Sequence, residues 1–323
     1  MIPNQWYIIL DSKQLNENNP IGIKRFNHNL VLWRNNNEIS CLEDICAHRG
    51  AALSIGKINN GNIQCPFHGI EYDSSGKCTV IPSDGKLNKP PSNFKVKAYE
   101  VKEKFGYLWM WYGEKQESYP EIKFFPEKLL DHSYSYSQFI DHWSVHYSRA
   151  IENQLDCQHV AFVHHNTIGR GNKTLVNGPL VKTDEEKLFM WVFNEFDKGQ
   201  KPKKPGDLSE DMKQFNLLFI FPNLWMNNIN EKMKVTAAFV PVDEKNTIIY
   251  LRYYQKIITI PILKNIFLFT GKLFSKKVLR QDKRVVTTQV PKKSELIMKT
   301  ENLTQADLPI INYRKIRNTL INK

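Results

Sequence analysis

Apolar and aromatic residues in the first third of the chain come in short runs separated by turn chemistry. The runs at 6–10, 29–33 and 106–111 are rich in aromatic, branched and leucine side chains. Between them lie Asn35-Asn36-Asn37, Asn59-Asn60-Gly61, Asp73-Ser74-Ser75-Gly76 and Pro90-Pro91, residues that accept positive φ or preset a turn. This part reads as small and all-β. Near 147–163 the period-two alternation stops, and the spacing predicts a helix. Strand-like runs return at 188–196, 215–221, 234–242 and 247–254, with a Lys/Pro-rich loop at 198–207. The stretch 263–289 has no internal proline and predicts one long helix, stopped by Pro291. No segment repeats. The pattern divides the chain into two domains, 1–115 and 116–323, joined near 113–125. It is an α+β protein, all-β first and mixed afterwards.

Composition narrows the class. With 41% hydrophobic and 12% aromatic residues the chain is too apolar to be disordered, and Gly 15 and Pro 16 are too few for a low-complexity chain. Five cysteines are an odd number at low density, which points to a reducing compartment rather than a disulfide framework. Met1-Ile2-Pro3-Asn4-Gln5-Trp6-Tyr7 has no basic region before an apolar core, so no signal peptide is expected. No uncharged apolar run reaches the roughly 18 residues of a membrane span. A soluble, cytoplasmic protein is the expectation. Net charge is +12. Residues 256–323 hold fifteen Lys/Arg against four acids, so nearly all of the excess sits in the last fifth. Such a region attracts nucleic acid, an anionic membrane or an acidic redox partner, or simply forms a solvated face. With no nucleic-acid motif beyond charge, no nucleic-acid partner is expected.

Two constellations carry metal chemistry. Cys46-Ala47-His48 and Cys65-Pro66-Phe67-His68 form two mixed Cys/His pairs. Two thiolates and two imidazoles suit tetrahedral zinc or a Rieske [2Fe–2S] cluster, in which the cysteines hold one iron and the histidines the other. Mixed pairs favour the cluster, because each loop then gives one ligand to each metal. Gly50 and Gly69 close behind the histidines, with Pro66, allow backbone to pack tightly. Cys41, Cys78 and Cys157 have no ligand spacing and read as packed thiols. Further on, Asp156, His159 and His164 form D-x2-H-x4-H. Asp156 and His159 share a helix face. His159 and His164 lie about 140° apart on an ideal helix, so they converge on one ion only if the helix distorts or ends between them. Two histidines with one carboxylate form the facial triad of O2-activating Fe(II) enzymes, and that carboxylate comes from elsewhere in the chain. His142, His146 and His165 are the other candidate ligands.

The motifs Cys46-Ala47-His48-Arg49-Gly50 and Cys65-Pro66-Phe67-His68-Gly69 resemble the N-terminal domain of the Rieske non-haem iron oxygenases, and 106–113 resembles the strand that closes that domain. Phe221-Pro222-Asn223-Leu224-Trp225, 240–243 and 306–314 resemble segments of the family's catalytic domain, an antiparallel sheet gripping a long C-terminal helix. The resemblance implies that Asp282, in Arg280-Gln281-Asp282 and followed by Gln289, is the third iron ligand, with Gln281 in place of the commoner acidic neighbour. The competing reading of Asp282 is a surface carboxylate paired with its basic neighbours. The resemblance also gives Asp156 a bridging role between a cluster histidine and His159, and Glu152, one turn earlier, a place in the same polar network.

The implied activity is oxidation of a small organic substrate with O2, by hydroxylation, demethylation or desaturation, as a mono- or dioxygenase. Electrons come from a separate reductase or ferredoxin, since no GxGxxG fingerprint is present. A homotrimer is implied, because family members pass electrons between subunits. The basic C-terminal region is a candidate docking site for an acidic donor. One alternative is a Rieske electron carrier whose second domain binds no iron. Another is a peripheral membrane oxygenase with a lipid-like substrate, using the apolar, lysine-studded stretch 257–274. A core helix showing its lysines to solvent is the preferred reading of that stretch. Pocket residues are expected between about 170 and 260, with Phe196, Phe219 and Trp225 read as core.

Overall fold

The computed structural model of the chain describes residues 1–85, 87–208 and 216–323. It forms two compact units, Pro3–Ile122, and Met1–Ile2 together with Lys123–Lys323.

The described residues of the first unit hold ten strands: β1 (Gln5–Asp11), β2 (Ile21–Arg25), β3 (His28–Asn35), β4 (Glu38–Glu43), β5 (Lys57–Asn59), β6 (Asn62–Gln64), β7 (Glu71–Tyr72), β8 (Cys78–Val80), β9 (Val101–Lys104) and β10 (Tyr107–Tyr112). They make three antiparallel sheets, ordered β1-β10-β9, β2-β3-β4 and β5-β6-β7-β8. Strand β10 is central in its sheet and buried on both faces, which accounts for its unbroken apolar sequence. The asparagine-rich turns are two-residue hairpin loops. Asn36 and Asn37 join β3 to β4, and Asn60 and Gly61 join β5 to β6, all four at positive φ. That is the backbone a type I′ turn requires, and Asn and Gly adopt it at least cost. Val31, Trp33, Leu42, Leu53, Ile63 and Tyr72 pack into the core beneath the two Cys/His loops.

In the second unit, β11 (Ser135–Trp143) leads into α1 (Tyr147–Leu155) and the single turn α2 (Val160–Val163). Then follow β12 (Leu175–Asp184), β13 (Lys187–Glu195), β14 (Leu217–Ile220), β15 (Leu224–Asn230), β16 (Met233–Asp243), β17 (Asn246–Gln255), α3 (Pro261–Val286) and α4 (Leu308–Ile321). The seven strands form one antiparallel sheet, ordered β11-β17-β16-β15-β14-β13-β12. Strands β13, β16 and β17 match the expected runs to within a residue; of the run at 215–221, Phe215 lies outside the described residues. Strands β12 and β15 and helix α4 were not legible in the pattern. Gly178-Pro179 interrupts β12 where its pairing to β13 shifts register, and three asparagines dilute β15.

Helix α3 begins with Pro261, a residue suited to a first turn, and ends at Val286, three residues before the expected stop. It lies against the sheet at β11 and β17. Ser137 Oγ donates to Leu268 O at 2.8 Å, and Gly271 admits the Tyr253 ring so closely that a Cβ would stand 2.4 Å from Cε1. The core joins Trp143, Tyr147 and Ile151 to Phe219, Phe221, Phe239, Leu279, Val286 and Tyr313. The Phe221 and Tyr313 rings stack at 14° between planes. Phe219 is core as expected, whereas Phe196 is half-exposed. The expected single helix at 147–163 is broken in two: the chain is extended at Asp156 (φ −77°, ψ 130°) and turns again from His159. Among the described residues no helix is long and apolar enough to cross a membrane.

Candidate metal centres

The two Cys/His loops have the same backbone plan. Cys46 N–H donates to Ala51 O and Gly50 N–H to Cys46 O; Cys65 N–H donates to Ile70 O and Gly69 N–H to Cys65 O, all at 2.8–3.0 Å. The glycine four residues after each cysteine has φ 74° or 71°, a conformation costly for any side chain bearing a Cβ. Each turn folds its cysteine inward and its histidine outward. Cys46 and Cys65 are buried, while the exposed imidazoles of His48 and His68 face one another with their Nδ1 atoms 3.2 Å apart. Tyr72 is fully buried, with its hydroxyl 3.2 Å from Cys46 Sγ and accepting from Ala47 N–H. Burial is the main reason that the Cys65 thiol and the Tyr72 phenol both sit above their ordinary pKa. Two buried sulfurs beneath two facing imidazoles form a donor set that fits a cluster with one sulfur side and one nitrogen side. Cys41, Cys78 and Cys157 are buried and, like Cys46 and Cys65, unbonded to one another.

In the second unit the break between α1 and α2 brings both ends of a single helical turn to one point. His159 precedes the turn and His164 ends it, and α3 lays Asp282 alongside. The ligand atoms of His159, His164 and Asp282 all lie within 4.8 Å of one another. Asp282 Oδ1 is 2.9 Å from His164 Nε2 and 3.4 Å from His159 Nε2. Asp282 is buried, so it is not the surface carboxylate of the competing reading. Asp156 Oδ1 accepts from the amides of Gln158 and His159 at 2.6 and 3.2 Å, and stands 3.5 Å from His159 Nδ1, close enough for attraction although long for a hydrogen bond. Burial, the largest influence on both groups, opposes charge. Their mutual attraction prevails, holding Asp156 below and His159 above the ordinary value.

The sequence reading missed the residues that orient this cluster. Gln281 Oε1 lies 3.0 Å from His164 Nδ1; an amide oxygen only accepts, so Nδ1 carries the proton and Nε2 offers its lone pair towards Asp282. Thr167 Oγ1 donates to the same oxygen, and Gln281 Nε2 donates to Asn166 Oδ1 at 2.7 Å. Asn153 and Gln154 approach the two oxygens of Asp282 at 3.4 Å. Imidazole lone pairs and a carboxylate aimed at one buried point repel one another unless a cation lies between them, so the donor set fits a divalent ion. Gln281 was legible only as a departure from the family pattern.

Other expected residues lie elsewhere. Glu152 does not join the Asp156 network: its carboxylate is bidentate to Arg314 at 2.7 and 3.1 Å and touches Arg149 at 3.0 Å, in a buried group closed by Glu301. Two guanidinium groups attract a buried carboxylate that a second carboxylate, Asp156, would repel. His146 caps α1 through Ser148, and burial, with Lys293 and Arg317 nearby, pulls its pKa down to about 3. His142 lies on β11, exposed, and His165 is exposed with its ring on Phe162 O.

A cavity of about 340 Å³ opens onto His159, His164 and Asp282. Ile168, Val192, Leu217, Trp225, Val235 and Leu251 are part of its apolar wall, with Asn216 and Asn227 among its polar points. Trp225 is therefore both core and pocket. The wall also includes Phe274, Ser275, Val278 and Leu279 of α3, outside the expected 170–260 range, because the helix that brings Asp282 also closes that side. Among the described residues the lining holds no lysine or arginine.

The vanillate O-demethylase oxygenase C-terminal domain matches residues 143–323, more than half of the chain, and the Rieske [2Fe-2S] domain matches 5–98. The chain belongs to the Rieske oxygenase family. It is 34% identical over 171 residues to chlorophyllide a oxygenase of Chlamydomonas reinhardtii, covering 52% of this chain and 25% of that protein. To the vanillate O-demethylase oxygenase subunit of Pseudomonas sp. (strain HR199 / DSM 7063) it is 29% identical over 168 residues, covering 52% and 46%. The match thus spans less than half the length of these curated relatives. In fold it is similar to Pseudomonas putida CBB5 NdmA, with a TM-score of 0.78 at 21% identity over 98% of this chain and 90% of that one. For a Rieske oxygenase the family implies a [2Fe–2S] cluster in the first domain and a mononuclear iron in the second, which removes zinc from the first site. Gln281→Leu deletes the acceptor that fixes the His164 tautomer. Iron affinity at the second site is expected to fall by about 10–100-fold, measured by chelator competition, while the visible spectrum of the cluster stays unchanged.

Proposed function

We propose that the chain is the oxygenase component of a Rieske system, oxidising a small, uncharged and largely apolar organic molecule with O2 and electrons from a separate reductase or ferredoxin. The observation that carries this reading is the convergence of His159, His164 and Asp282 on the wall of an apolar cavity. In this assignment residues 1–115 form the cluster domain and 116–323 the catalytic domain. Cys46, His48, Cys65 and His68 hold the [2Fe–2S] cluster, and His159, His164 and Asp282 hold Fe(II). The two centres, when bound, supply stored electrons and O2 activation respectively.

The remaining work belongs to the chain's own groups. Gln281 holds the His164 imidazole by Nδ1 and Asp156 attracts that of His159 from 3.5 Å, and both Nε2 atoms face Asp282. Ile168, Val192, Leu217 and Leu251 keep water from the space before the ligands, and Asn216 and Asn227 offer amides that orient a substrate through one polar group. With no lysine or arginine among its described lining residues, and with Asp156 and Asp282 on its wall, the cavity favours a neutral molecule over a carboxylate. The proposed working unit is a homotrimer in a reducing compartment such as the cytoplasm, with Asp156 at the joint between subunits. This rests on family likeness and on the five unpaired cysteines.

The second reading, an electron carrier, has no use for the buried triad or the cavity. Iron analysis of anaerobically reconstituted protein separates the two: about three irons per chain for the oxygenase and about two for the carrier. Substrate-dependent oxygen uptake with a reductase, screened over neutral aromatic, N-methyl and terpenoid compounds with product analysis, is expected to follow the third iron.

A further inference from the structure

The first half of α3 is exposed on a side where the sequence reading placed core. At 100° per residue, Leu268, Ser275, Leu279 and Asp282 fall within about 60° of arc, and these are buried. Ile262, Ile266, Phe269 and Leu273 occupy a similar arc on the opposite side, and they are 74%, 56%, 59% and 50% exposed. Isolated exposed apolar residues are ordinary, but a continuous stripe of them on one helix is not. The charge beside the stripe has one sign. Between 256 and 281 there are six lysines and arginines and no acid. Where the stripe ends, an open groove of about 440 Å³ is bordered by Lys276, Lys277, Arg280 and Arg284, and among the described residues none of these four has an acidic partner.

We infer that this face of α3 docks on an anionic lipid bilayer, the stripe entering the interface and the cationic groove taking lipid phosphates. An apolar face flanked by lysine and arginine is the composition that binds such a surface, and each cation near an anionic leaflet adds attraction. A second copy presenting this same face fits less well, since pairing two such faces brings like charges together. The helix lies on the surface; it is too short of unbroken apolar sequence to span. The inference goes beyond the oxygenase reading and stands or falls without it, because its test reads binding and not turnover.

The test is co-sedimentation of the full-length holoprotein with phosphatidylcholine vesicles, with and without phosphatidylglycerol. The chain is expected to sediment with the anionic vesicles at low salt, to stay in solution with phosphatidylcholine alone, and to be released as salt rises. The double variant Ile266→Glu/Phe269→Glu should weaken binding by about tenfold or more, and Lys276→Ser/Lys277→Ser should weaken it and flatten its salt dependence. All four side chains are solvent-facing or half-buried, so circular dichroism and melting should match the parent. Absence of binding to anionic vesicles at low salt overturns the inference, as does binding that survives Ile266→Glu/Phe269→Glu. A chain that ignores vesicles but self-associates through these residues on a sizing column overturns it too, and gives the face to a second copy.

Discussion

Asp282→Ala is expected to yield a folded chain with about two irons in place of about three, with its cluster spectrum intact and substrate oxidation reduced at least about 100-fold. Among the described residues Asp282 brings the only carboxylate that lies between His159 Nε2 and His164 Nε2, and removing it leaves two imidazoles alone, a set too weak and too open to retain Fe(II). Folding should survive, because the side chain's other contacts, from Asn153 and Gln154, are long at 3.4 Å. Iron analysis, visible spectroscopy and turnover on the same preparation check the result. A variant that keeps the third iron would move the site elsewhere.

Glu152→Ala should act in the opposite way, costing stability and sparing the metal. Glu152, Arg149 and Arg314, all buried, and the half-buried Glu301 form a neutral quartet that ties α1 to α4. Removing one carboxylate leaves two guanidinium groups in the interior sharing a single carboxylate, Glu301, and breaking a buried ion pair in this way costs about 3–5 kcal/mol. Urea unfolding of the holoprotein is expected to show that loss, with iron per folded chain at the parent level. Loss of iron at unchanged stability would instead return Glu152 to the metal site.

These two acids show what was legible in the sequence. Cys46, His48, Cys65 and His68 were readable because a cluster needs a ligand of each type from each loop, and short loops keep such ligands close in sequence. His159 and His164 were readable as a pair, and their five-residue spacing already required a break in the helix. The structure puts the break before His159 and not between the histidines: the chain is extended at Asp156, whose side chain accepts from the Gln158 and His159 amides, and one helical turn joins the two histidines. Asp282 came from resemblance alone, since nothing local relates a carboxylate on α3 to histidines more than a hundred residues away. Glu152 misled because one helical turn from Asp156 is a necessary condition for sharing a network and not a sufficient one. The guanidinium that claims it, Arg314, is distant in sequence and invisible to spacing. Gln281 was hidden for the same reason. The strands with strong alternation were found, and β12 and β15 were lost to Gly178-Pro179 and to the asparagines.

Helix α3 is also a partition one helix thick. Phe274 contributes to the cavity wall and yet has about half its surface in solvent, and Val278 beside it lines the cavity next to Lys277 of the basic groove. A mutant library aimed at 274 and 278 to change the compound accepted would therefore alter the outer surface at the same time. Screening such a library needs a solubility or adhesion measurement beside every activity measurement.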